Sequence, residues 1–246
     1  MRKPGSVNGL ENLGRVRLSK NFFMRDFLYS EIANFYGIPN MPDNPDLAIA
    51  AGTRLCEELL EPLQATFGRI SIRSAYRSPQ VNELPNRSKL RGITSLRSTA
   101  WALFYRPQQA AGYVTQGSLD QLGNEKGHNC ASNESNYARH IWDYRDADGY
   151  MGATACIVVN WYLDRYQETG DWQPLAWWVH DHLPYSSMEF FTNLCAFNLS
   201  WHEQPKRVIS SYADPKGILT KPGMENHEDD HSRWYEGFPP AKNESQ

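Results

Sequence analysis

The sequence predicts an α+β fold: a small antiparallel sheet flanked by helices, with a long inserted loop region and an extended C-terminal tail. Three observations carry this. Apolar residues recur every four positions over 45–66. Short runs of strand length and strand composition stand apart from one another. No regular strand–helix–strand alternation and no internal repeat is visible.

The elements follow in order. Residues 1–20 are polar and Gly-rich and predict a flexible segment. Order begins at Asn21-Phe22-Phe23. Over 45–66, Leu47, Ala51, Leu55, Leu59 and Leu63 make one helical stripe, with Asp43, Asn44 and Asp46 near its start and Gly68 past its end. Arg69 to Ser74 alternates apolar and polar, as a half-buried strand does. Residues 83–135 are rich in Asn, Ser, Gly and Gln and predict an excursion from the core, partly helical, covering a cleft. Ala153 to Val159 predicts a buried strand. Asn160–Gln167 and Trp172–His182 predict helices, the second stopped before Pro184. Residues 187–191 and 198–202 have strand lengths. From 214 to 246 Pro, Gly and acids predict an extended tail. One domain over 21–213 accounts for the rest.

Composition excludes several classes. The 246 residues are 40% hydrophobic, enough for one sizeable core. A net charge of −3 excludes a nucleic-acid binder that works through bulk positive charge. The longest apolar run, Ala153 to Val159, is broken by Thr154 and is far too short to span a bilayer. Met1-Arg2-Lys3-Pro4-Gly5-Ser6 has no apolar stretch behind it, so no signal peptide is read and a cytoplasmic location is expected. Cys56, Cys130, Cys156 and Cys195 form no CxxC pair and read as free thiols or a ligand, not a disulfide framework.

Four stretches hold metal-capable or charged side chains. His227-Glu228-Asp229-Asp230-His231 matches HExxH literally. It follows Pro222-Gly223 and has no apolar face, so a solvated tail is expected there. His180-Asp181-His182 lies in a predicted helix, where its two histidines diverge and only a surface or supporting role is expected. His128-Asn129-Cys130 offers two donors without partners. The run from Tyr137 to Gly149 packs His140, three Asp and two Arg around Ile141 and Trp142. It reads either as an ion-pair network fixing a loop or as a site with His140 as ligand.

In order along the chain come Ser74-Ala75-Tyr76-Arg77-Ser78 with Asn82, then His140, Gly152-Ala153-Thr154-Ala155-Cys156-Ile157, Leu183-Pro184-Tyr185 with Glu189-Phe190, and Trp201-His202. Together they resemble the zinc-dependent D-alanyl-D-alanine carboxypeptidase family, which includes peptidoglycan peptidases. The family pattern runs S-x-Y-R-S, then S-x-H-x-x-G-x-A-x-D, then W-H or W-x-H. The resemblance covers roughly residues 20–212. It implies Zn²⁺ held by His140, His202 and a third ligand. It implies that Arg77 stabilises the oxyanion and that Ser74, Tyr76, Asn82 and Trp201 line the substrate site. The implied reaction is hydrolysis of a cell-wall peptide by a metal-activated water.

Three departures shape the expectation. The gap from His140 to Gly152 is expanded. Cys156 stands where the family has Asp; a thiolate ligates zinc, and Asp148 in the expanded gap is the alternative third ligand. Leu199 stands where the family has its catalytic acid, so Glu189 is expected to serve as base, ahead of Glu203, Asp143, Asp146 and Asp148. The alternative is a metal-binding or peptide-binding protein on the same fold that does not hydrolyse. Peptidoglycan lies outside the cytoplasm, so release by lysis or a cytoplasmic precursor substrate would be required.

Overall fold

The computed structural model describes residues 1–83, 136, 139–191, 195–212 and 216–242. The expected excursion over 83–135 falls outside them beyond Glu83, as do His128 and Cys130. The fold is α+β.

The chain opens with helix α1 (Val7–Gly14), capped by Ser6, whose hydroxyl accepts from Gly9 N–H. The expected flexible segment is therefore ordered here. Leu13 and Leu18 are the reason: both are buried in the main core. Helix α2 (Glu31–Tyr36) ends at Gly37, whose φ of 63° is one a side chain adopts only with strain.

The predicted 45–66 helix is observed as α3 (Pro45–Leu55), one π-turn (Cys56–Leu60) and α4 (Glu61–Phe67). Asn44 caps its start and Pro45 sits in the first turn, where its missing N–H is not needed. The π-turn has a local cause. Pro62 has no N–H for the Glu58 carbonyl, and its ring crowds that oxygen. Just before it, Glu61 N–H reaches back to Cys56 O instead.

The strands are β1 (Ile70–Ser74), β2 (Gly152–Val159), β3 (Ser187–Phe191), β4 (Ala196–His202), β5 (Val208–Ser211) and β6 (Gly217–Thr220). They form one sheet in the order β1-β2-β4-β3-β5-β6. It is antiparallel except where β3 meets β5. Helices α5 (Asn160–Thr169) and α6 (Gln173–His182) follow β2.

Strand alternation sorts the two faces. Ala153, Ala155, Ile157 and Val159 of β2 join Phe197, Leu199 and Trp201 of β4 in a core with Leu55, Leu59, Leu63 and Trp178 from the helices. Cys156, Val158 and Ala196 point the other way, against Leu163 and Phe191. No helix of the described residues is long and apolar enough to cross a membrane.

The tail runs extended and is not solvated throughout. Short 3₁₀ turns at Glu225–His227 and Ser232–Tyr235 bring His227 and His231 into buried positions.

Candidate functional site

The sheet register assembles part of the expected site. Ser74 pairs with Cys156, Cys156 with Asn198, and Asn198 with Glu189. These four residues form a polar row across β1, β2, β4 and β3. Asn198 Nδ2 donates to Glu189 Oε2 at 3.3 Å. Burial raises the Glu189 carboxyl above its usual range, partly offset by the Asn198 bond and the Lys216 charge. Burial also raises the Cys156 thiol, opposed by the charges of Arg73 and Arg77 and a hydrogen bond from Arg73.

His140 lies in a segment hydrogen-bonded to the chain just past the end of β1. Its Nδ1–H donates to Ala75 O at 2.7 Å, and Arg77 N–H donates to His140 O at 2.8 Å. The ring is buried. Burial, with Arg77 beside it, lowers its pKa from 6.5 to about 3 against the pull of the Ala75 carbonyl. Three residues on, Asp143 accepts from Asp43 N–H at 2.6 Å, Asn44 N–H at 3.2 Å and Tyr76 O–H at 3.0 Å. Tyr76, expected at the substrate, is therefore a fully buried tie between this segment and the start of α3. Asn82 is buried too, its backbone N–H on Ser78 O. Asp143 thus fixes the loop through hydrogen bonds from two backbone N–H groups and a tyrosine, not through the ion-pair network expected of the 137–149 run.

His202 sits at the end of β4. Its Nε2 is 2.9 Å from Asp146 Oδ2 and its Nδ1 2.8 Å from Gln204 O. The carboxylate beside His202 is thus Asp146 and not Asp148, which is exposed. Asp146 is shaped for this by its own turn, where Oδ1 accepts from the N–H groups of Asp148 and Tyr150. Partial burial raises its pKa, but the Tyr150 and His202 bonds outweigh this and leave it below the usual range.

The structure does not bring His140, Cys156 and His202 together. His202 pairs with Gly152 across the ladder, and Cys156 lies four residues further along β2, about 13 Å away at strand rise. Zinc bonds of about 2.0 Å to nitrogen and 2.3 Å to sulfur require donors no more than about 4 Å apart. The neighbour of His202 is instead Arg139: a Cβ on Gly152 would come within 2.9 Å of His202 Cδ2 and closer still to Arg139 Cδ. A guanidinium stem there leaves little room for a cation.

Next to His202 an open cleft of ≈ 490 Å³ is lined by Arg54, Glu58, Met151, Trp201, His202 and Glu203, among others. Trp201, expected at the substrate, is one of the lining residues but is itself almost wholly buried in the core. The indole N–H donates to Glu58 Oε2 at 2.8 Å, and the Arg54 guanidinium lies 5.7 Å from the ring centroid. Arg54 and Glu58 pair at 2.6 Å across one helical turn, and Glu203 Oε2 accepts from Met151 N–H at 2.7 Å. Both signs of charge line the cleft.

A second group was missed by sequence reasoning. One ring nitrogen each of His180 and His231 and a carboxylate oxygen of Asp181 lie within 4.8 Å of one another, the one such set of three or more His, Cys, Asp or Glu donors among the described residues. On α6, His180 points inward and His182 outward, diverging as a helix requires. The literal HExxH was the available signal, but nothing in its hydropathy indicates burial. No family model, no curated protein and no solved structure matches this chain.

Proposed function

We propose that this chain is a peptide-binding protein on a carboxypeptidase-like sheet, and that it does not hydrolyse its ligand. The observation that carries this is the cleft beside His202, whose described lining residues include both charged and apolar side chains and none of the His180, Asp181 and His231 donors. Its volume falls in the range of ligand clefts, roughly 300–1,000 Å³. Met151, Pro184 and Pro205, with the small exposed part of Trp201, suit the apolar parts of a short extended peptide. Arg54 suits a peptide carboxylate, and Glu58 and Glu203 suit an amine. The resemblance adds the ligand class: a short cell-wall-type peptide bearing both charges. The separation of Cys156 from His202 and the Leu199 in place of an acid support binding without cleavage.

Calorimetric titration of the full chain with stem peptides ending in D-alanine tests this, together with mass spectrometry of the same mixtures. Binding with intact peptide is expected. Arg54→Ala, a half-exposed change, should weaken it at least five-fold, and Trp201→Phe should weaken it without unfolding the protein. Cleavage products that disappear in Glu189→Gln would restore the hydrolase reading. Affinity indifferent to both cleft variants would remove the cleft as the site.

A further inference from the structure

We propose that His180, Asp181 and His231 form a binding site for a divalent transition metal such as Zn²⁺, joining the C-terminal tail to α6. The argument begins with proton placement. His231 Nε2 is 2.9 Å from the carbonyl oxygen of Asn226, and His180 Nε2 is 3.0 Å from that of His227. A carbonyl only accepts, so each ring carries its proton on Nε2 and presents Nδ1 as the lone-pair nitrogen. That leaves His231 Nδ1 facing Asp181 Oδ1 at 2.9 Å. Two lone-pair atoms at that distance repel unless a cation lies between them. The cation is either a second proton on His231 or a metal ion.

The surroundings favour the metal. A proton serves two of the three donors, whereas a metal uses all three: one nitrogen of each ring and an Asp181 oxygen lie within 4.8 Å of one another and must draw in to about 4 Å to share one ion. Two imidazoles and a carboxylate are a donor set for zinc and its neighbours, with a fourth position left for water. Each proposed ligand has outer support of the kind metal ligands carry. The two carbonyls fix the tautomers. Tyr235 O–H donates to Asp181 Oδ2 at 2.8 Å. Trp177 stacks on His231 with centroids 3.9 Å apart and planes 6° from parallel, fixing the ring's orientation. Tyr185 O–H lies 2.6 Å from His180 Nδ1 and is the contact a metal there would displace.

The site is not the zinc arrangement that HExxH names. His227 is turned to Thr220, its Nδ1 3.1 Å from that hydroxyl, and contributes its carbonyl to His180 instead. Glu228 is exposed. Nor does the site involve His140 or His202.

The test uses the full chain and Zn²⁺ or Co²⁺ alone. After chelation and dialysis, one Zn²⁺ per chain should bind and raise the melting temperature. The Co²⁺ form should show a tetrahedral spectrum without a thiolate charge-transfer band, which separates this site from the cysteines. Asp181→Asn, at an exposed residue, and His231→Gln should each weaken Zn²⁺ at least ten-fold. His202→Ala should leave it unchanged. Limited proteolysis should cut the 216–242 segment faster in the metal-free protein. The proposal is overturned if the folded wild-type chain binds no Zn²⁺, which assigns the cation to a proton on His231. It is equally overturned if Asp181→Asn binds Zn²⁺ as the wild type does, or if His202→Ala abolishes binding.

Discussion

His140 makes the protein acid-sensitive by a calculable amount. Folded, the ring is buried, donates Nδ1–H to Ala75 O and stands beside Arg77, so it accepts a second proton only near pH 3. Unfolded, it does so at its ordinary 6.5. Between those values the unfolded chain binds a proton that the folded chain refuses. Stability from this group is therefore complete above pH 6.5 and falls as acid is added. At 1.36 kcal/mol per unit, about 2 kcal/mol is lost between pH 7 and pH 5. His140→Asn isolates the effect, because the Asn Nδ2–H can replace the Nδ1–H bond while removing the titration. The smaller side chain costs about 1–2 kcal/mol at pH 7. Urea unfolding of both proteins at pH 7, 6 and 5 measures the difference between them. The wild type should lose about 2 kcal/mol more than the variant over this range, because other groups titrate in both. Parallel curves would show that His140 is solvated or already charged in the folded state, and would refute the burial argument.

Two other perturbations test the packing and the thiols. Gly52→Ala should destabilise by about 1–3 kcal/mol, despite alanine's helical advantage of about 1 kcal/mol, because the new Cβ meets Trp142 Cζ3 at 2.8 Å and Leu18 Cδ1 at 3.2 Å; a melting temperature equal to or above that of the wild type would contradict the contact. Burial raises the thiols of Cys56 and Cys156, and that of Cys195 to about 11. All three should resist iodoacetamide at pH 8 in the native protein and react promptly in urea. Rapid native alkylation of Cys156, read by peptide mass spectrometry, would reveal thiolate character and revive its candidacy as a ligand.

What the sequence showed depended on the type of signal. The helix over 45–67 was legible because one face buries aliphatic side chains at the helical period, β2 because it is a continuous apolar run buried on both faces, and β3 and β4 because they have strand length and strand composition. Helix α1 was not, since Leu10 and Leu13 are its only large apolar residues past Val7, and it is held by one turn of core contact. Strands β5 and β6 are four residues each, too short for alternation to register. The row from Ser74 to Glu189 depends on register, and the placement of Cys156 opposite Asn198 follows from strand pairing that composition does not encode. The burial of His231 escaped for another reason: it packs on the face of Trp177 and against Asp181, contacts no hydropathy pattern counts.

The residues that carry the resemblance have structural work to do without a catalytic metal. His140 ties its segment to the end of β1 through Ala75. Tyr76 and Asp143 tie the same segment to the first turn of α3, where Asp143 accepts two backbone N–H groups. His202 ties the 146–150 turn to the end of β4 through Asp146. Each tie satisfies a buried polar group that would otherwise cost about 1–3 kcal/mol, so each side chain is specified by the fold alone. These ties account for the burial of His140, Tyr76, Asp143 and His202 within the fold. Chemistry is better argued from groups whose contacts leave a cation to be assigned, and the 2.9 Å approach of His231 Nδ1 to Asp181 Oδ1, met by a second proton or by a metal ion, is one.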